Sequence, residues 1–417
     1  RENKQDEWDV VVAGGGITGA GIAREAARRG LSVLLVDRQD FAWGTSSRSS
    51  KMVHGGLRYI ASGDIKTTMH SVSERERLIN EAPGLVDQMG YLMAHYKGGF
   101  PGPFVFNSLL RIYDFFAGKK YRKYHKLENF ETLSPLINEE NLIGGTQFAD
   151  AVTDDSRLVI RVLREAQKDG AEVINYVGVD SLIKENGHVV GANLKDAETQ
   201  EVFVVKAKVV INATGAWADE LRGEMSAEKN IRPARGSHLV VPSWRLPVAQ
   251  AFTAMHPDDK RPIFIFPWEG RTIIGTKEKR NHSVWSDKGL VTVSGGKLTT
   301  FRLIALDVLE AAEQYLPDFN AKDFGADMFT KFKPTHGLFN SLPGYLKKRL
   351  QGHYGMDSDL LLAQAHTSEL DVIPGASAMW AELRWSAKNE AVVHLDDLLL
   401  RRTRIGLLVE QGGLIFE

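Results

Sequence analysis

Asp9-Val10-Val11-Val12-Ala13-Gly14-Gly15-Gly16-Ile17-Thr18-Gly19 decides how this 417-residue chain begins to fold. Asp9 to Ala13 is a β-branched run of the kind that forms a buried parallel strand. Three glycines follow at once, and a helical pattern then runs from about Thr18 to Arg29, with Gly30 placed to end it. Leu31 to Val36 reads as a second buried strand and closes on Asp37. The result is a strand–helix–strand unit whose crossover is expected to be right-handed. In Gly14-x-Gly16-x-x-Gly19 each glycine has its own task. Gly14 allows the tight turn, Gly16 lets backbone approach a pyrophosphate, and Gly19 lets the helix pack close to its strand. The helix N-terminus presents N–H groups and a positive dipole end to phosphate. Asp37 is placed to accept hydrogen bonds from an adenosine ribose. Strand, helix and acid agree, so the spacing predicts a dinucleotide site. Composition leaves FAD and NAD both open.

Outward from that motif, composition excludes more than it names. Lys+Arg 52 against Asp+Glu 53 gives a net charge of −1, which argues against a nucleic-acid binder. The absence of cysteine removes disulfides, thiolate metal sites, iron–sulfur clusters and cysteine nucleophiles. No run of about 18 apolar residues occurs and residues 1–8 are polar, so neither a spanning helix nor a signal peptide is expected, and the location reads as cytoplasmic. None of the 12 histidines falls in a metal-ligand spacing, so no metal is expected. No G-x-S-x-G elbow supports a hydrolase.

The remaining pattern is α/β with an antiparallel section and a helical tail. Asp154 and Asp155 are placed to cap a helix from Ser156 to about Asp169. Glu172 to Tyr176 reads as a strand, and 188–193 and 201–211 alternate as antiparallel strands. Segments 231–242 and 261–276 also read as strands, and residues 343–417 as mainly helical. Arg401-Arg402-Thr403-Arg404 looks like a basic end. The tail is read as support for the dinucleotide-binding domain or for an oligomer such as a homodimer.

Thr45-Ser46-Ser47-Arg48-Ser49-Ser50-Lys51, followed by His54-Gly55-Gly56-Leu57-Arg58-Tyr59, resembles the FAD-dependent glycerol-3-phosphate dehydrogenases, within the D-amino-acid oxidase-like flavoproteins. Asn212-Ala213-Thr214-Gly215-Ala216-Trp217, Ile274-Gly275-Thr276 and Ser294-Gly295-Gly296-Lys297-Leu298-Thr299-Thr300 extend the likeness, and Asp396 to Thr403 looks like that family's helical cap. The resemblance implies a Rossmann-type FAD-binding domain (1–90, 150–225 and 286–318), an antiparallel-sheet substrate or membrane-facing domain (91–149 and 226–285) and an all-helical C-terminal domain (319–417). It implies oxidation of sn-glycerol 3-phosphate to dihydroxyacetone phosphate, with electrons passed to quinone; the alternative is an oxidase that reduces oxygen to hydrogen peroxide. His54, Arg58 and Lys297 become the catalytic candidates. His54 has the pKa range of a general base and Arg58 the geometry to grip phosphate. Arg58, Tyr59, Thr276, Arg280 and Lys297 are the substrate-binding candidates.

For the cofactor the same resemblance implies Gly14, Gly16, Ile17, Thr18, Gly19, Asp37 and Arg38 around the nucleotide. Thr45, Ser46, Ser47, Ser50, Lys51 and Met52 come next, with the hydroxyls of Ser46, Ser47 and Ser50 offered to the pyrophosphate. His54 and the Gly55-Gly56 pair are expected to lie against the flavin. Val179, Ala213, Thr214, Gly215, Trp217, Gly296, Lys297, Leu298 and Thr299 complete the set.

One departure stands out. In the family a long stretch carrying a Gly-x-Arg-Pro element separates the Ile-Gly-Thr strand from Gly-Gly-Lys. Here only Lys277 to Val293 lies between Thr276 and Ser294, without that element. Asn281 to Trp285 resembles the segment just downstream of the missing part, so Thr276 reads as joined to it across a gap. Phe104, Phe106, Leu109, Leu110, Ile112, Tyr113, Phe115 and Phe116 precede Lys119, Lys120, Arg122, Lys123 and Lys126. An aromatic helix beside a basic cluster is the pattern of an interfacial anchor on anionic lipid, and the family is peripheral to the membrane, here its cytoplasmic face.

Overall fold

Val10, Val11 and Val12 have no solvent exposure in strand β1 (Trp8–Ala13), because both faces and both edges of that strand are covered. β1 pairs in parallel with β2 (Val33–Asp37) on one side and with the strand Val202–Asn212 on the other. The computed structural model describes residues 7–61, 63–135, 137–256, 258, 262–276, 282–316, 319–322 and 325–412, without the side chains of Arg58 and Ala61. Among these residues the first sheet has eight strands. Its main path runs His282–Asp287, Leu290–Gly295, Val202–Asn212, β1, β2 and Glu172–Asn175. The strands Val177–Glu185 and His188–Asp196 extend Val202–Asn212 as an antiparallel ribbon.

Helix α1 (Ile17–Ala27) follows β1 directly and is buried along almost its whole length. Small residues make that possible: a Cβ on Gly21 would stand 2.8 Å from the Phe301 ring. The helices Asp155–Lys168 and Phe301–Ala312 cover α1, and the three share one apolar core with β1 and β2. The capping of Asp155–Lys168 comes from Asp154, whose side chain accepts from Arg157 N.

After β2 the chain runs irregularly to β3 (Met52–Val53), then to helices α2 (Leu57–Ala61) and α3 (Ile65–Glu81). A second eight-stranded sheet is built on β4 (Val86–Tyr96), paired antiparallel with Leu142–Thr153 and in parallel with Ala251–Met255. Helix α4 (Pro103–Ala117) packs Phe106, Leu110, Tyr113 and Ala117 against this sheet and leaves Phe104 and Phe115 outside. The C-terminal helices Gly344–Tyr354, Asp357–Gln364 and Trp380–Asn389 enclose a core of their own around Leu350, Tyr354 and Trp385.

Two readings of the sequence change. Only His238–Pro242 of the expected strand 231–242 is a strand. Residues 231–237 are irregular chain, with Ile231 to Ala234 and Gly236 bordering a cavity and Pro233 supplying no N–H for a ladder. The arginines at 401, 402 and 404 are not a solvated basic end; each is 1–2% exposed and ion-paired with a carboxylate.

Candidate active site

β1, β2 and Val202–Asn212 end side by side. A cavity of about 650 Å³, lined by residues just past each of those ends, opens there, which is where open parallel sheets take ligands. Gly14 turns the chain at φ 113°, and its N–H donates to Val36 O at 2.8 Å. A Cβ at Gly14 would stand 2.5 Å from the Ala213 carbonyl oxygen, and one at Gly19 1.9 Å from that of Gly14. Both contacts are with backbone, so the turn and the first helical coil require glycine. Ser46 Oγ accepts from Ile17 N at 3.0 Å and so ties the Thr45–Ser47 turn to the start of α1.

Asp37 accepts from Gly15 N at 2.6 Å and Gln39 N at 2.8 Å, and burial pushes its carboxyl up to about 6. A carboxylate has about four acceptor positions, so it keeps capacity for ribose hydroxyls. Beside it stand Trp43 and Trp217, with ring centres 6.0 Å apart, Arg38 lying over Trp217 and Arg48 over Trp43. Glycine turn, helix start, acceptor and aromatic wall together fit the adenosine and diphosphate portions of FAD.

At the far end Gly295 (φ 81°) and Gly296 (φ 94°) turn the chain out of Leu290–Gly295 toward Lys297. Lys297 Nζ lies 3.7 Å from the centre of the Tyr59 ring. Burial pulls its ammonium down to about 8, with Asp64 opposing that shift. Thr276 and His238 line the same cavity. A cation of tunable charge, a phenol, a threonine and an imidazole are a suitable set for a small phosphorylated alcohol.

Most residues singled out from the sequence meet on this wall: Gly14, Gly16, Ile17, Thr18, Asp37 and Arg38; Thr45, Ser46, Ser50, Met52 and Tyr59; Val179, Ala213, Thr214, Gly215 and Trp217; Thr276, Gly296, Lys297, Leu298 and Thr299. Six do not line it. Gly19 acts through packing, as described. Lys51 turns away and pairs with Asp155 at 2.8 Å, because that carboxylate is buried and needs a cation. The Ser47 carbonyl accepts from Lys51 Nζ at 3.2 Å. Gly55 backs onto Tyr113 and Val72, where a Cβ would meet atoms at 2.3 and 2.6 Å, and Gly56 backs onto the Tyr59 ring. The glycine pair therefore serves this packing. His54 stands just behind the wall, bonded through its backbone to Thr299. The side chain of Arg58, and Arg280 entirely, lie outside the described residues.

Sequence reasoning missed Trp43, Arg48, Ser49, Glu220, Arg232, Pro233 and His238, all of which line the cavity. Arg232-Pro233-x-Arg235-Gly236-Ser237-His238 was the available signal for the last three. Its reading as a plain strand hid it.

Comparison with known proteins points one way. The model of the FAD dependent oxidoreductase family matches residues 9–369. Aerobic glycerol-3-phosphate dehydrogenase of Staphylococcus haemolyticus (strain JCSC1435) is 31% identical over 485 aligned positions, covering 96% of this chain and 87% of that protein. Its counterpart in Bacillus subtilis (strain 168) is 35% identical over 383 positions, 76% of this chain and 69% of that protein. The solved glycerol-3-phosphate dehydrogenase from Bacillus halodurans complexed with FAD superposes with a TM-score of 0.73 at 26% identity, over 97% of this chain and 87% of that one. The first alignment is longer than the 417-residue chain, so that relative carries residues with no counterpart here.

Proposed function

The chain belongs to the FAD dependent oxidoreductase family, and from that premise we propose that it oxidises sn-glycerol 3-phosphate to dihydroxyacetone phosphate. The observation that carries the reading is Lys297, a partly buried cation held over Tyr59 at the end of the cavity away from the nucleotide turn. FAD bound in this cavity supplies the two-electron acceptor for the alcohol carbon. The protein's own residues do the rest. Lys297 holds the substrate phosphate, with Arg58 and Arg280 assigned to the same task by the resemblance. Thr276 and Tyr59 orient the hydroxyls. Start-of-helix N–H groups on α1 and the hydroxyls of Thr45, Ser46 and Ser50 hold the diphosphate. His54 takes the hydroxyl proton, on a loop fixed by Thr299. His238 is a second candidate for that proton, because it is a histidine that lines the cavity.

The electron acceptor we assign is quinone, reached from a membrane surface. Among the described residues no helix is long and apolar enough to cross a membrane. What supports peripheral docking is α4 and the turn before it: Phe100 in the turn and Phe104 and Phe115 on the helix are 88%, 84% and 80% exposed. Lys120, Lys123 and Lys126 are exposed close by in sequence. The longer relative supports the view that a segment is absent from this chain, and the resemblance assigns its place after Thr276 and its role to substrate binding. The three-part division into flavin, substrate and helical portions follows the same reading, and a homodimer is proposed on the resemblance alone.

Turnover with a soluble dye as acceptor tests the reaction. The expected result is formation of dihydroxyacetone phosphate from sn-glycerol 3-phosphate and none from glycerol, which lacks the anion Lys297 grips. Equal turnover of glycerol, or turnover of amino acids only, would overturn it. Oxygen consumption measured beside quinone reduction separates dehydrogenase from oxidase.

A further inference from the structure

Residues 38–51, the connection from β2 to β3, border the cavity through Arg38, Trp43, Thr45, Ser46 and Ser49. This stretch has one 3₁₀ turn and no strand of its own. Ala42 (φ 61°) and Lys51 (φ 51°) hold left-handed conformations, which non-glycine residues keep only when their surroundings impose them. The surroundings that impose them come from the far C-terminal region. Arg402 forks onto Asp40 at 2.8 and 2.7 Å, and Arg401 also donates to Asp40. Asn175 donates to Asp40 at 2.9 Å and Tyr176 to Asp397 at 2.7 Å, so the Arg401 turn is fixed on both sides.

The other end of the connection is tied in the same way. Arg404 donates to Asp154 at 2.9 Å and to Asp155. Asp155 accepts in addition from Ser49 N at 2.9 Å, Ser49 Oγ at 2.7 Å and Lys51 Nζ at 2.8 Å. Asp40, Asp155, Arg401, Arg402 and Arg404 are all 0–2% exposed, so no water replaces a missing partner. Arg404 is itself left-handed at φ 63°, after a π-helical turn at Leu398–Arg402, a rare geometry often found at functional positions. None of the three arginines touches the cavity.

We propose that Arg401, Arg402 and Arg404 are positioning residues for FAD. The C-terminal segment clasps the back of the 38–51 connection, and that connection cradles the cofactor from the front. The inference rests on the FAD assignment of the cavity. Clasp and cofactor are then coupled, and coupling is reciprocal: each orders the other's segment.

The test uses full-length protein stripped of flavin, then titrated with FAD and followed by quenching of flavin fluorescence. Amide exchange is measured alongside on residues 8–30, 38–51 and 395–405. R404Q is expected to raise the FAD dissociation constant on the order of tenfold, with faster exchange in 38–51 and none added in 8–30. R404K, which keeps one cation, should recover part of both effects. FAD added to stripped wild-type protein should slow exchange in 395–405, a reading that needs no variant to fold. The proposal is overturned if folded R404Q binds FAD within twofold of wild type, if R404K recovers nothing relative to R404Q, if exchange rises equally in 8–30, or if FAD leaves 395–405 unprotected. Failure of the wild type to bind FAD would overturn the cofactor assignment instead, and shows before any variant is made.

Discussion

Thr299 and His54, 245 positions apart, are joined by two hydrogen bonds: His54 N donates to Thr299 Oγ1 at 3.1 Å, and the same hydroxyl donates to the His54 carbonyl at 3.2 Å. One hydroxyl thus locks the His54-Gly55-Gly56 loop to the turn that carries Lys297. Gly55 N is held from the other side by Asp150 at 3.0 Å, inside a buried group with Arg75 and Tyr113. The loop is thus held from both sides.

Removing that hydroxyl should misplace the proton acceptor. Thr299→Val keeps the volume and deletes two bonds of about 1 kcal/mol each. We expect kcat to fall on the order of tenfold, with flavin still bound and the pH optimum broadened. An unchanged kcat would show that His54 needs no such tether.

Lys297 gives a pH signature with a definite sign. Its ammonium is held near 8, so it is charged below that value and neutral above it. Phosphate binding is therefore present below about pH 8 and lost above. The ratio kcat/KM, which reports free enzyme, should drop by about tenfold per pH unit on the alkaline side. Lys297→Arg should carry the plateau beyond pH 10, since guanidinium stays charged. A profile flat across pH 8 in the wild type would contradict the assignment.

The proposed membrane face rests on the aromatic and basic pattern of residues 100–126, and ion pairing within it narrows the basic candidates. Lys119 pairs with Glu76 at 3.2 Å and Arg122 with Asp114, which leaves Lys120, Lys123 and Lys126 as the stronger candidates for lipid phosphate. Replacing those three by Gln should remove about 1 kcal/mol each and weaken partition into anionic vesicles about 100-fold. Neutral vesicles should show little change. Sedimentation with both kinds of vesicle measures this, and equal binding before and after would remove the basic cluster from the account.

Gly19→Ala should be severe. The new Cβ would meet the Gly14 carbonyl oxygen, a backbone atom that moves only if the nucleotide turn moves. Overpacking of this kind costs about 1–3 kcal/mol. A lower denaturant midpoint together with loss of co-purifying flavin is the expected outcome. A variant that purifies yellow and equally stable would show that α1 can shift without disturbing the turn.

The first thirty-odd residues were legible because every signal there is local. β-branched strand, glycines, helix and terminal acid follow one another in the chain, and the structure repeats that order. The wall formed by Arg232 to His238 was not legible, since its approach to the cavity depends on how the second sheet folds back. The resemblance assigns Lys51 to the cofactor, but its ammonium pairs with Asp155, 104 positions away. The C-terminal arginines misled for the same reason. A run of basic residues looks solvated until the carboxylates that bury it, Asp40, Asp154 and Asp155, are brought to it by the fold.

The most direct measurement mixes the purified flavin-loaded protein with sn-glycerol 3-phosphate in the absence of oxygen and any acceptor. The account predicts bleaching of the oxidised-flavin absorbance, with one dihydroxyacetone phosphate formed per flavin reduced. A flavin spectrum left unchanged by saturating sn-glycerol 3-phosphate would contradict it.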